Sequence, residues 1–126
     1  DEMPAFYSRS SGLAVDTRCD SPDEVADLFR AQEALGIERA LLVTVPVPAE
    51  FEVAAADLQT TLDDALRQAG TENVSGRELT PFLLSRMAQQ SQGATLKANI
   101  ALLENNARVA TQIANALSDR RSEYNL

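Results

Sequence analysis

The sequence predicts an α/β protein, with about four helices and one or two strands in this chain. Three observations predict it. Four stretches carry a helical period bounded by start and stop residues. One short run, Ala40–Val45, is apolar at every position but Thr44. The composition is that of a globular chain, with 44% hydrophobic and 24% charged residues.

Residues 1–20 show no helical period. Pro4, Gly12 and the serines Ser8, Ser10 and Ser11 mark loop or extended backbone. Phe6 and Tyr7 are two of only six aromatic residues, which predicts a segment that docks on the rest. Leu13, Val15 and Thr17 alternate and allow a short strand. The first helix is capped by Ser21, with Pro22 at its first position and Glu24 completing a capping box. Val25, Leu28, Phe29 and Leu35 form its apolar face, and Gly36 stops it. Ala40–Val45 then reads as a strand buried on both faces, ended by Pro46 and Pro48.

A second helix is expected over 54–69, with Leu58, Leu62, Ala65, Leu66 and Ala69 as its stripe and Gly70 as its stop. A third starts at Thr80-Pro81, carries Phe82, Leu83 and Met87, and ends at Gly93. The fourth is capped by Thr95 and runs to about Leu117, roughly 35 Å. Ile100, Leu103, Ala107, Ala110, Ala114 and Leu117 recur at spacings of three and four and predict its packing stripe. Residues 119–126 are expected to form a loose tail. One buried strand cannot satisfy its own backbone. Its partners are expected either before position 20 or in chain beyond these 126 residues. The opening Asp1-Glu2-Met3-Pro4, without Met at position 1, fits the second expectation.

Composition excludes several kinds of chemistry. There is no histidine, so every mechanism and metal site that needs one is out. A single cysteine, Cys19, rules out an internal disulfide. The net charge of −8 argues against nucleic acid as a partner. No apolar run approaches the ~20 residues of a membrane span. A cytoplasmic protein that meets neither nucleic acid nor membrane is expected.

Few residues are left to carry chemistry. Lys97 is the sole lysine. It lies about 110° round the fourth helix from the stripe centre, on the solvated flank, and a surface lysine is the plainer reading. Asn99 lies about 50° from that centre, near a helix N-terminus that favours anions. Asn106 falls on the same side two turns on, while Asn105 points away from the stripe. Such asparagines either bond a neighbouring loop or bind a ligand, and the wheel leaves both open. Arg9 with Ser8, Ser10 and Ser11 suits a phosphate, though serine-rich loops are common. The acids are spread over helix faces and form no dyad.

Five runs resemble the C-terminal portion of the pseudouridine-5'-phosphate glycosidase family, also called indigoidine-synthase-A-like. They are Pro4-Ala5-Phe6-Tyr7-Ser8-Arg9-Ser10-Ser11-Gly12, Asp20-Ser21-Pro22-Asp23-Glu24-Val25-Ala26, Pro46-Val47-Pro48-Ala49-Glu50, Thr80-Pro81-Phe82-Leu83-Leu84 and Asn99-Ile100-Ala101-Leu102-Leu103-Glu104-Asn105-Asn106-Ala107-Arg108. The resemblance implies that this chain is the C-terminal part of an α/β/α fold, in an enzyme, typically a homotrimer, that makes or breaks the C–C bond between ribose 5-phosphate and uracil. It implies a lysine that forms an imine with the opened sugar, a glutamate acid/base, and an aspartate holding a divalent metal, usually manganese. None of those three matches a residue here, so the metal is expected to be held outside this chain. Asn99 carries over as the residue facing the active site, and Asn106 as a substrate-binding companion. The expected partners are a sugar phosphate, a nucleobase or aromatic acceptor, the upstream part of the enzyme and further copies of it.

Two departures widen the choice of acceptor. Val45 stands where the family usually has asparagine, and Gln90-Ser91-Gln92-Gly93 replaces its usual Thr-Gly-Gly. Family relatives in biosynthesis attach ribose 5-phosphate to an aromatic polyketide, which is the alternative activity. A non-catalytic helical module that pairs through the long-helix stripe is the further alternative.

Overall fold

The computed structural model describes residues 2–119. Four helices form in the predicted order: α1 (Pro22–Ala34), α2 (Ala55–Thr71), α3 (Leu79–Gln90) and α4 (Ala94–Asp119). Short 3₁₀ turns at Ala49–Phe51 and Gly76–Glu78 precede α2 and α3.

The start of α1 follows its sequence signals. The Ser21 hydroxyl accepts from the Glu24 amide at 3.2 Å, and the Glu24 carboxylate accepts from the Asp20 amide at 2.6 Å. Two otherwise free amides are thereby satisfied. Gly36, at φ 66°, ends α1 as expected just after the Leu35 cap, and α2 starts within one residue of the expected position; several other bounds differ. α2 runs through Gly70 to Thr71, and the turn comes at Asn73 with φ 56°. α3 begins at Leu79, so Pro81 lies inside the first turn, where its missing N–H breaks no bond. α4 is capped by Ser91, not Thr95. The Ser91 hydroxyl accepts from the Thr95 amide at 3.1 Å, while Thr95 is buried within the first turn. Gln92 and Gly93, both at positive φ, turn the chain from α3 into α4.

The predicted strand at 40–45 does not form. Those residues lie outside every helix, strand and bridge, and among the described residues no strand is present. The reason is local: a strand needs a neighbour, and none of the described residues supplies one. The early segment forms a single antiparallel bridge, Glu2 to Ala14, in place of the strand allowed around Leu13. The tail expected at 119–126 falls outside the described residues, apart from Asp119 at the end of α4.

The core joins Tyr7, Val47, Ala65, Met87, Ala98 and Leu102, with Leu58, Leu62 and Leu83 packed against it. α1 packs on α4, α2 on α3, and α3 on α4. Arg30 of α1 donates to the carbonyls of Ala116 (2.8 Å) and Leu117 (3.1 Å), two of the orphan acceptors at the C-terminal end of α4.

The face that α4 buries is not the predicted stripe. Thr95, Ala98, Ala101 and Leu102 are buried, while Ile100 is 49% and Leu103 60% exposed. α4 has two apolar faces, their centres roughly 140° apart at 100° per residue. The sequence pattern marks the outer one. The inner one, through Ala98, Leu102 and Val109, packs on this chain.

Candidate functional site

The segment Pro46-Val47-Pro48 is where the remote parts of the chain converge. Val47 is fully buried. The Pro46 carbonyl accepts from the Asn105 side-chain amide at 3.1 Å. The Val47 carbonyl accepts from the Arg9 guanidinium at 3.0 Å. The Arg9 amide in turn donates to Glu52 at 2.7 Å, and the Val53 amide donates to the Tyr7 carbonyl at 3.0 Å. Prolines cannot hold the segment through their own N–H groups, so its carbonyls are fixed by side chains from both sides.

Beside this junction lies an open groove of about 680 Å³. Its walls are the early segment (Met3, Phe6), the Val43–Val45 run and α4 at Leu102, Asn106 and Val109. Phe6 stands edge-on to Tyr7 with ring centroids 4.6 Å apart, which seats one wall on the core. Burial pushes the Tyr7 phenol above its ordinary pKa. The Glu2 carboxyl is held below its ordinary value, first by the Ser10 hydroxyl and then by the Gly12 amide. The groove is mostly apolar, with Asn106 as a side-chain amide on its wall.

The two asparagines chosen from the sequence meet different fates. Asn106 is exposed and lines the groove. Asn99 is half-buried on the first turns of α4 and is not on the groove wall. Neither makes a hydrogen bond among the described residues, which leaves both amides available. Both lie at the boundary between the two apolar faces of α4. Lys97 is exposed.

Sequence reasoning missed Asn105, which it turned away from the packing stripe. Asn105 lies on the inner face instead, and the spacing Ala98, Leu102, Asn105, Val109 was the signal that could have found it. The phosphate reading of the early cluster gains no support. Ser8 donates to the Ser10 carbonyl, Ser10 to Glu2, Ser11 to the Met3 carbonyl, and Arg9 to Val47. No sequence signal marks the Arg9–Val47 tether across that separation. Cys19 is a half-buried free thiol. Among the described residues no three carboxylate or thiol groups lie together as metal ligands. The residues in view therefore do not fit a divalent metal.

Residues 1–116 match the family model described as indigoidine synthase A like protein. The chain belongs to that family. Among curated relatives, the pseudouridine-5'-phosphate glycosidase of Kosmotoga olearia is 48% identical over 118 residues, 94% of this chain and 41% of the relative. That of Rhodospirillum centenum is 44% identical over 126 residues, 39% of its length. The crystal structure of the prealnumycin C-glycosynthase AlnA, in complex with ribulose 5-phosphate, superposes with a TM-score of 0.83 at 30% identity. It matches 98% of this chain and 40% of that one. An indigoidine synthase A-like protein from Thermotoga maritima gives a TM-score of 0.76 at 37% identity, over 90% of this chain and 37% of its own. The chain thus spans about two-fifths of the length of these relatives.

Proposed function

We propose that this chain is the C-terminal portion of an enzyme that forms or cleaves the C–C glycosidic bond of a ribose 5-phosphate conjugate. The observation that carries it is the 48% identity to a pseudouridine-5'-phosphate glycosidase across 94% of the chain. In the cleavage direction the bond between C1 of the sugar and C5 of uracil breaks. Water supplies a proton to C5 and a hydroxyl to C1, giving uracil and ribose 5-phosphate.

The part played by this chain is positioning. Asn99, with an unengaged amide, faces the reacting sugar phosphate and orients it through hydrogen bonds. Asn106 contributes to the acceptor side, where the groove wall is otherwise apolar and suits a planar ring. The imine-forming lysine, the acid/base glutamate and the manganese-binding aspartate lie in the part of the enzyme that this chain does not match. The chain by itself has no turnover, and the working enzyme is a cytoplasmic homo-oligomer. The second reading, a C-glycosynthase with an aromatic acceptor, is favoured by one observation, the TM-score of 0.83 to AlnA over 98% of the chain.

The test is a chimera in which this chain replaces the matched 118 residues of the Kosmotoga olearia glycosidase. Release of uracil from pseudouridine 5'-phosphate supports the first reading. Coupling of ribose 5-phosphate only to a quinone-type acceptor supports the second. Turnover of neither by a folded chimera rejects both.

A further inference from the structure

The segment 46–48 is tied to α4 at one point. Asn105 donates its side-chain amide to the Pro46 carbonyl at 3.1 Å, and among the described residues this is the only hydrogen bond between α4 and 46–48. The prolines at 46 and 48 remove two of the three amides that could have held the segment. The Asn105 carboxamide is itself oriented. Its Oδ1 accepts from the Arg108 guanidinium at 2.5 Å, which turns Nδ2 toward Pro46. A charged donor at one end of an amide strengthens the bond made at the other.

This tether sits at a corner of the groove. Pro46 follows Val45, which lines one wall, and Asn105 precedes Asn106, which lines another. Successive helix residues point about 100° apart, so Asn105 holds the corner while Asn106 stays on the wall. At the next carbonyl, that of Val47, Arg9 ties in the early segment at 3.0 Å. That segment supplies the third wall through Phe6. Two successive carbonyls thus fix where three walls meet. The remaining contacts at the corner are apolar, through Val47 and Leu102. Apolar contact is non-directional, so it resists separation of the walls but not sliding. The hydrogen bond is what sets the register of Asn106 against Val45.

We propose that Asn105, oriented by Arg108, is a positioning residue for the acceptor: it fixes Asn106 against Val45 and so shapes the slot that a planar ring enters. This rests on the reading given above, in which the groove takes the acceptor and Asn99 meets the sugar phosphate. A ring held between an apolar wall and one side-chain amide loses its alignment when α4 slides. Asn99 lies about 9 Å back along α4, close to the Ser91 cap that anchors the start of the helix at 3.1 Å, and does not depend on the tether. Loss of Asn105 therefore weakens the acceptor and spares the sugar phosphate.

The test is coupling of ribose 5-phosphate to uracil by the Kosmotoga olearia chimera, with each substrate varied in turn. If the parent chimera couples a quinone-type acceptor instead, that acceptor takes the place of uracil. Asn105→Ala should raise the KM for the acceptor about five- to tenfold, the worth of one positioning hydrogen bond. The KM for ribose 5-phosphate should stay within about twofold of the parent. Asn105→Asp keeps the size and the Arg108 partner but offers no donor to Pro46, and should show the same split. Arg30→Ala, which loosens the far end of α4, is the control: it should lower the melting temperature to a similar degree with both KM values within about twofold. Equal rises in both KM values, a fall in kcat alone, or a parent-like acceptor KM in Asn105→Asp overturns the proposal. So does the same acceptor effect in Arg30→Ala, which would make it general loosening. If neither Asn105 variant folds, the tether is structural and the proposal is overturned. No turnover by the folded parent with either acceptor rejects the proposed activity and this inference together, whereas an active parent with an unmoved acceptor KM in the variants rejects this inference alone.

Discussion

Asn105 and Asn106 are adjacent and chemically identical, yet they should behave as opposites when shortened. Asn105→Ala removes the donor to the Pro46 carbonyl at 3.1 Å and the acceptor that meets Arg108 at 2.5 Å. Leaving a buried carbonyl without its donor costs about 1–3 kcal/mol. Pro46 is half-buried, and water reaching its oxygen puts the cost near the low end, about 1–1.5 kcal/mol. Alanine at a helix position returns roughly 0.5 kcal/mol through propensity. Asn106→Ala receives the same return and breaks no hydrogen bond among the described residues. The propensity term cancels between the two variants, so their difference isolates the Asn105 tether. The assay is urea unfolding of both variants beside the parent chain. Asn105→Ala should be the less stable of the two by about 1–1.5 kcal/mol, which is roughly 3–8 °C in melting temperature for a domain of this size. Unfolding free energies within about 0.3 kcal/mol of each other, or a less stable Asn106→Ala, would refute the reasoning about which face of α4 is inward.

Three further outcomes follow from the same packing. Arg30→Ala removes both donors at the end of α4 and should cost about 1–2 kcal/mol, with faster exchange of the last-turn amides as the local readout. Met87→Ala opens the core between α3 and its neighbours and should lower stability by about 2–5 kcal/mol in the same urea assay. Glu2 has a carboxyl pKa lowered by folding. What it contributes is therefore complete above its unfolded value and is lost as pH falls through its lower folded value. The NMR shift of the Gly12 amide should move over that acidic window and be flat across it in Glu2→Gln.

How much of this was legible in the sequence can be judged element by element. The order of the helices was, because Ser21-Pro22 and the apolar spacings act locally. The stop falls one residue past Gly70 because a glycine weakens a helix without ending it, and the buried Ala65 and Ala69 hold the last turns of α2 on the core. Ala40–Val45 reads as a strand but forms none here, since strand formation depends on a neighbour that periodicity cannot see. The α4 stripe was misassigned for a related reason. Leu103 and Ile100 are more apolar than the alanines and the threonine that this chain buries, so hydrophobicity pointed to the outer face. Asn99 and Asn106 came from resemblance and wheel position together. Asn106 is exposed and Asn99 half-buried, and neither side-chain amide is engaged among the described residues, while Asn105 shows how the same wheel fails when the inner face is misidentified.

The central claim is that Asn99 belongs to the sugar-phosphate site of a C-glycosidic enzyme. Its most direct test is kcat for pseudouridine 5'-phosphate cleavage by the chimera with and without Asn99→Ala, alongside both melting temperatures. Removing a donor aimed at the reacting group costs about 10²-fold in rate, and a side chain with no hydrogen bond among the described residues should leave stability within about 0.5 kcal/mol. A fall in kcat of that order at an unchanged melting temperature is the predicted result. An unchanged kcat, or a loss that tracks a lower melting temperature, would contradict the claim.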